Sequence, residues 1–169
     1  MNDKNIIIFS QSFGNEIRII DYYENSNEGL SHYVNVLNDR GYTYGTHAFP
    51  HDVQVKELGT GVTRLQTLQD LGVRNIRMIK RTSNVIDDIE AVRRILPRCY
   101  FHIEKTTKLI DALENYRRSF NEGTGEFSNT PLHDKYSHAA DAMRTLAKGW
   151  QSHSIDTASV GADATQDFF

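Results

Sequence analysis

Apolar positions in the first third of the chain change their spacing twice. Ile6, Ile7, Ile8 and Phe9 form a compact β-rich run, Gly14 and Asn15 supply turn chemistry, and over 16–23 Ile17 and Ile19 alternate with Arg18. A run, a glycine turn and a second alternating segment predict an antiparallel hairpin. After the polar stretch 24–29, Leu30, Tyr33, Val34 and Leu37 fall at helical spacing and stop near Gly41, which predicts a helix over 30–38. The aromatic-rich segment 42–49 terminates at Pro50 and reads as a strand whose carboxyl end delivers His51 and Asp52 into a loop.

Helix and strand then alternate. Val62, Leu65, Leu68 and Leu71 predict a helix that stops at Gly72, and Ile76, Met78 and Ile79 predict a short strand. Ser83 or Asn84 caps a helix carrying Ile86, Ile89, Val92, Ile95 and Leu96, closed by Pro97, and 100–103 is the next strand. Thr106 or Thr107 opens a helix expected to carry Leu109, Leu113, Tyr116 and Phe120, followed by a Gly/Asn/Pro loop over 121–132 and a last helix over 134–148. The expected class is α/β, a mixed β-sheet flanked by α-helices. Residues 1–149 form the expected domain, and 150–169, with three acids and no Lys or Arg, are expected to be a flexible acidic tail.

Composition narrows the picture. At 169 residues, 38% of them hydrophobic and with eight Phe, eight Tyr and one Trp, the chain suits one domain with a substantial core. Cys99 is the single cysteine, which excludes an internal disulfide or a multi-cysteine metal site and fits a reducing compartment. The longest apolar run, 6–9, falls far short of the roughly 20 residues of a membrane span, so a soluble, intracellular protein is expected. The segment GTGVTR over 59–64 lacks the lysine of a phosphate-binding loop and reads as a helix-cap turn, leaving no ATPase site. The net charge is −3, but 1–54 holds seven acids against three Lys/Arg, whereas 74–118 holds eleven Lys/Arg against six acids. That basic middle is either a set of solvated helix faces or a patch that tracks a phosphate backbone.

Two elements can carry chemistry. In HDKYSHAADAMR, 133–144, Asp134, His138 and Asp141 stand at i, i+4 and i+7, which places them on one face of the predicted helix. Asp134 as a plain helix cap and His138 as a satisfied, partly buried histidine is the alternative. The second element is PHD, 50–52, where Asp52 lies just past a strand end, the usual place of functional groups in α/β sheets, or serves as an ordinary turn aspartate. Together a strand-end Asp and a helix-borne Asp/His pair can hold Mg²⁺ or Mn²⁺, and two such ions catalyse phosphodiester hydrolysis.

Taken in order, IIDYYENSNEGLSHYVNVL (19–37), YGTHAFPHD (44–52), RTSNVIDDIEAVRRIL (81–96) and HDKYSHAADAMR resemble the C-terminal nuclease domain of tailed-bacteriophage terminase large subunits. The resemblance reaches to about residue 148. It implies an RNase H-like fold, two-metal endonuclease activity with Mg²⁺ or Mn²⁺, and cutting of concatemeric double-stranded DNA during genome packaging in the cytoplasm of a bacterial host. Carried over residue by residue, the family's acids fall on Asp52 and Asp141, with His138 as neighbouring ligand or proton handler and Asp134 as a weaker metal candidate. The family's first-strand pattern DxGxxD aligns its second acid with Asp3 and places its first acid ahead of Met1; Asp21 does not match it. The resemblance further implies contacts with the phage portal and the small terminase subunit, no membrane, and an ATPase domain not in this chain. Lys80, Arg81, Lys105 and Lys108 are the candidate phosphate contacts. Two rival readings stand beside the nuclease: a DNA-binding or packaging-assembly module impaired in catalysis, and another RNase H-like nuclease such as a resolvase acting on branched DNA.

Overall fold

A computed structural model describes residues 4–56, 61–80, 82 and 84–158, with side chains to Trp150. β1 (Lys4–Phe13) and β2 (Glu16–Ser26) pair antiparallel around Gly14, whose φ of +57° is the left-handed conformation this turn requires. The register slips between Phe9 and Ser10, leaving Ile20 as the extra residue on β2. A bulge of this kind shifts the side-chain alternation by one. Ile17 and Ile19 before it and Tyr22 after it therefore share one sheet face and enter the main core with Ile8. Phe9 and Asp21 turn to the opposite face, where the Phe9 ring lies 5.6 Å from Tyr42.

α1 (Leu30–Arg40) ends at Gly41, φ +66°, close to the predicted stop. β3 (His47–Pro50) runs parallel to β4 (Ile76–Ile79), with His47 opposite Ile76. β3 is shorter than the expected 42–49, because Tyr42 and Tyr44 are drawn off the strand line: their hydroxyls donate to Asp21 Oδ2 at 3.3 Å and to the Leu37 carbonyl at 2.6 Å. Thr63 caps α2 (Arg64–Asp70), its Oγ1 accepting from the Gln66 amide at 3.1 Å. The upstream part of the expected cap turn, Gly59 and Thr60, lies outside the described residues. Asn84 caps α3 (Val85–Ile95) through the Ile86 amide; the alternative cap, Ser83, lies outside the described residues. One 3₁₀ turn at Leu96–Arg98 leads into β5 (Cys99–Phe101), which pairs parallel with β2. Burial pushes the Cys99 thiol up to about 11, so it stays protonated near neutrality.

Three expectations are corrected in the last third. α4 (Thr107–Asn115) stops well before Phe120, because Tyr116 adopts an extended backbone. The expected loop over 121–132 instead contributes to a hairpin: β6 (Arg118–Asn121) pairs antiparallel with β7 (Glu126–Pro131), turning at Gly125 with φ +69°. Phe120 and Phe127 face each other across it, 5.0 Å apart, and both stay exposed. The last helix, α5 (Ser137–Ala158), starts later and runs further than predicted. Trp150, placed in the expected tail, is buried in the main core, so the helical stripe of Ala139, Met143, Leu146 and Ala147 continues one turn beyond the expected end. Residues 159–169 of that tail lie outside the described residues.

Among the described residues the strands form three sheets, β1-β2-β5, β3-β4 and β6-β7, in a mixed α/β arrangement. α5 joins the first two. Its apolar stripe packs with the hairpin residues and with α3 and α4, while Gly149 backs onto the other pair so closely that a Cβ there would meet Ile79 Cδ1 at 3.3 Å and Ala48 Cβ at 3.7 Å. A smaller cluster of Val34, Val53, Leu68 and Val73 holds α1 and α2 over β3-β4. Among the described residues no helix is long and apolar enough to cross a membrane.

Candidate functional site

The approach to α5 brings the sequence-selected residues into one stretch but not onto one face. Asp134 lies ahead of the helix: its Oδ1 accepts from the Tyr136 amide at 2.9 Å and its carbonyl accepts from the Ser137 amide at 3.1 Å. A short carboxylate just before a helix start satisfies amides that lack an intrahelical partner. The expected i, i+4, i+7 stripe is corrected accordingly, and only His138 and Asp141 stand on the helix, one turn apart.

His138 Nε2 is buried and has no hydrogen-bond partner among the described residues. Its ring meets that of His133 edge to face, centroids 5.5 Å apart, and His133 Nδ1 lies 3.1 Å from Ser137 Oγ. Leaving a buried polar atom unpaired costs about 1–3 kcal/mol, a cost removed by any group that donates to the nitrogen or is coordinated by it. Asp141 stands beside this imidazole. Its Oδ1 accepts from Arg144 Nη2, and its Oδ2 has no hydrogen-bond partner among the described residues. Desolvation pushes the Asp141 carboxyl above its ordinary range, opposed by the positive field of Arg144 and then of His138 and His133. Arg144 is itself held: its Nη1 donates to Tyr116 Oη at 2.9 Å, from the junction between α4 and β6.

Asp52 occupies the 3₁₀ turn His51–Gln54 directly after β3, exposed to solvent, its carbonyl accepting from the Val55 amide at 3.0 Å. Among the described residues no three His, Cys, Asp or Glu side chains are placed to hold a metal, so Asp52 is not gathered with His138 and Asp141. Asp3 lies outside the described residues. Asp21 is 4% exposed and committed elsewhere: its carboxylate accepts from the Tyr22 amide at 2.8 Å and pairs with Arg40 at 3.1 Å, on the sheet face away from the main core.

The proposed phosphate contacts are divided as well. Lys105 Nζ reaches Tyr42 Oη at 3.2 Å, and Lys108 pairs with Glu24 at 3.3 Å, both on the side of β2 and α1. Lys80 lies at the far end of β4, where its carbonyl accepts from Lys148. Arg81 lies outside the described residues. Sequence reasoning passed over Arg144, Tyr116 and His133. Arg144 was visible as the i+3 partner of Asp141, whereas Tyr116 was hidden by its assignment to the apolar face of a helix.

The donors present fit one side of a divalent cation. A carboxylate oxygen suits Mg²⁺ or Mn²⁺, and an imidazole nitrogen moves the preference from Mg²⁺ toward Mn²⁺. No family model matches the chain, and no curated protein sequence matches it. Among solved structures, the large terminase nuclease domain of bacteriophage SPP1, crystallised with bound Mn, superposes on this chain with a TM-score of 0.65 at 16% identity, covering 90% of this chain and 81% of that one. The likeness establishes the fold, an RNase H-like mixed α/β domain.

Proposed function

We propose that the chain is a metal-dependent nuclease domain of the tailed-phage terminase type, acting on double-stranded DNA during genome packaging. The observation that carries this reading is the buried, unpartnered His138 Nε2 beside the half-engaged Asp141 carboxylate, in a fold shared with a nuclease domain crystallised with Mn. His138 and Asp141 would hold an Mg²⁺ or Mn²⁺ ion from α5; Asp52 and Asp3 belong to this reading through the sequence resemblance, Asp52 standing after β3 and not gathered with the pair. When bound, such ions supply Lewis-acid stabilisation of the phosphodiester and activation of the attacking water. The chain's own residues set the geometry. His138 is held on its helix beside the His133 ring, and Asp141 is held through Oδ1 one turn further along α5. The phage portal and small terminase subunit, as partners in the bacterial cytoplasm, belong to the same reading and rest on the sequence resemblance.

A second reading is favoured by one observation, the absence of a third metal-ligating side chain around this pair among the described residues. It is a module of the same fold that binds duplex DNA without cutting it.

Nicking and linearisation of supercoiled plasmid in Mn²⁺ and then Mg²⁺, beside an EDTA control, separate the two. The nuclease reading expects cleavage that EDTA stops and that Asp141→Ala and Asp52→Ala each reduce by at least about 100-fold, the scale of losing a group that stabilises the transition state. Full cleavage by folded Asp141→Ala would overturn it. Duplex binding with no cleavage in either metal would favour the module.

A further inference from the structure

We infer that Arg144, braced by Tyr116, is the positioning residue that decides which oxygen of Asp141 is available to a cation. The inference rests on the metal reading above. An Arg/Asp pair three residues apart on a helix is ordinary, and where solvent reaches both partners it holds neither in place. This one differs in three respects. The Arg144 side chain is only 17% exposed, while that of Asp141 is 47% exposed, so the cation is the anchored member and the carboxylate the presented one. The second tine of the guanidinium fork is occupied from outside the helix, by Tyr116 Oη at 2.9 Å. Finally, the contact uses Oδ1, and among the described residues Oδ2 has no hydrogen-bond partner, on a carboxylate one turn along α5 from the buried, unpartnered Nε2 of His138.

The planar fork is what makes the arrangement directional. Two nitrogens of one rigid group bond to two elements, so the position of Nη2 is set by Tyr116, at the end of α4, as well as by the Arg144 rotamer. Oδ1 must meet Nη2, and the carboxylate plane is then determined. A lysine at 144 could pair with Asp141 but could not span to Tyr116 with the same geometry. Outer partners of this kind orient a ligand carboxylate, and their loss typically costs about 10–100-fold in metal affinity or activity.

The test is Mn²⁺ binding to the full chain by titration calorimetry, with the metal-free thermal midpoint measured alongside, for wild type, Asp141→Ala, Tyr116→Phe, Arg144→Lys and the double variant. Wild type is expected to bind Mn²⁺ and Asp141→Ala to lose it. Tyr116→Phe and Arg144→Lys are each expected to weaken binding about 10-fold, near the lower end of the outer-partner range. Because both act through one fork, the double variant is expected to be no weaker than Arg144→Lys alone. In the plasmid assay the Mn²⁺ concentration for half-maximal cleavage rises by the same factor, while the rate at saturating Mn²⁺ changes far less. Unchanged Mn²⁺ affinity in both single variants, whatever their thermal midpoints, makes the pair merely structural and overturns the inference while the metal reading stands. Tighter binding by Arg144→Lys overturns it too, since Arg144 would then compete with the cation. A wild-type chain that binds no Mn²⁺ overturns the metal reading and the inference together.

Discussion

Two aspartates on neighbouring elements meet opposite fates, and their partners explain why. Asp21 is buried with its charge answered by Arg40 and its oxygens occupied by the Tyr22 amide and the Tyr42 hydroxyl, so nothing is left for a ligand. Asp141 is half-open, with one oxygen engaged and one not. The bulge at Phe9/Ser10 is the cause: without the extra residue, Asp21 would share the face of Ile17 and Ile19, toward α5. Asp21→Asn is therefore expected to lower stability by about 2 kcal/mol, the worth of a charged hydrogen-bonded pair whose arginine can still reach solvent. Mn²⁺-dependent plasmid cleavage by the same variant should match wild type. A chemical denaturation curve and the plasmid assay, run on one preparation, check both halves, and a selective loss of cleavage would mean that Asp21 does serve the site.

Helix α5 is the element on which fold and site meet, since it carries His138 and Asp141 at one end and closes both sheets along its length. Gly149 sits where it crosses β3-β4. Gly149→Ala adds about 1 kcal/mol of helix propensity, and its one tight contact is with the flexible end of Ile79 at 3.3 Å while Ala48 stays at an ordinary 3.7 Å, so a near-neutral effect is expected. Gly149→Val adds branched bulk at the same point and should cost about 2 kcal/mol by overpacking, read as a drop in thermal midpoint. Equal midpoints for both variants would show that α5 does not bear on Ala48 and Ile79. Elements with local punctuation were legible in the sequence: the Gly14 turn, the Gly41 stop, the Asn84 cap and the 76–79 strand all stand where their residues put them. Elements set by tertiary contact were not. Tyr116 fits helical spacing but leaves α4 to reach Arg144, and the hairpin β6-β7, whose turn is built on Asn121 and Gly125, has the composition of a loop. The same holds for the site. His138 and Asp141 were legible from one-turn spacing, but the loss of Asp134 to the helix cap depends on where α5 begins, which the Ala-rich sequence leaves open.

Across the whole molecule the question is whether the basic middle is a duplex-binding surface or a solvated exterior. The net charge of −3 opposes association with DNA at long range, so any affinity must come from local concentration of cations. The candidates differ in how free their charge is. Lys108 already shares Glu24 with Lys4, and the favourable partners of that glutamate outweigh its burial and hold its carboxyl below the ordinary range, so part of the Lys108 charge is already answered. Among the described residues the Lys105 ammonium contacts the Tyr42 hydroxyl and ring and pairs with no carboxylate. Each phosphate neutralised by a protein cation contributes about −0.9 to the slope of log affinity against log salt concentration on duplex DNA. Fluorescence anisotropy with a labelled, non-specific duplex across a salt series is therefore expected to give a slope for Lys105→Ala that is shallower than wild type by about 1. Lys108→Ala should change it less, because a phosphate gains less from a lysine whose charge is partly answered by Glu24. Equal effects of the two substitutions would place the duplex where it displaces Glu24, on the β2 edge. No effect of either, with wild-type binding intact, would move the contact surface to the β4 end around Lys80, nearer the elements that carry Asp52 and α5.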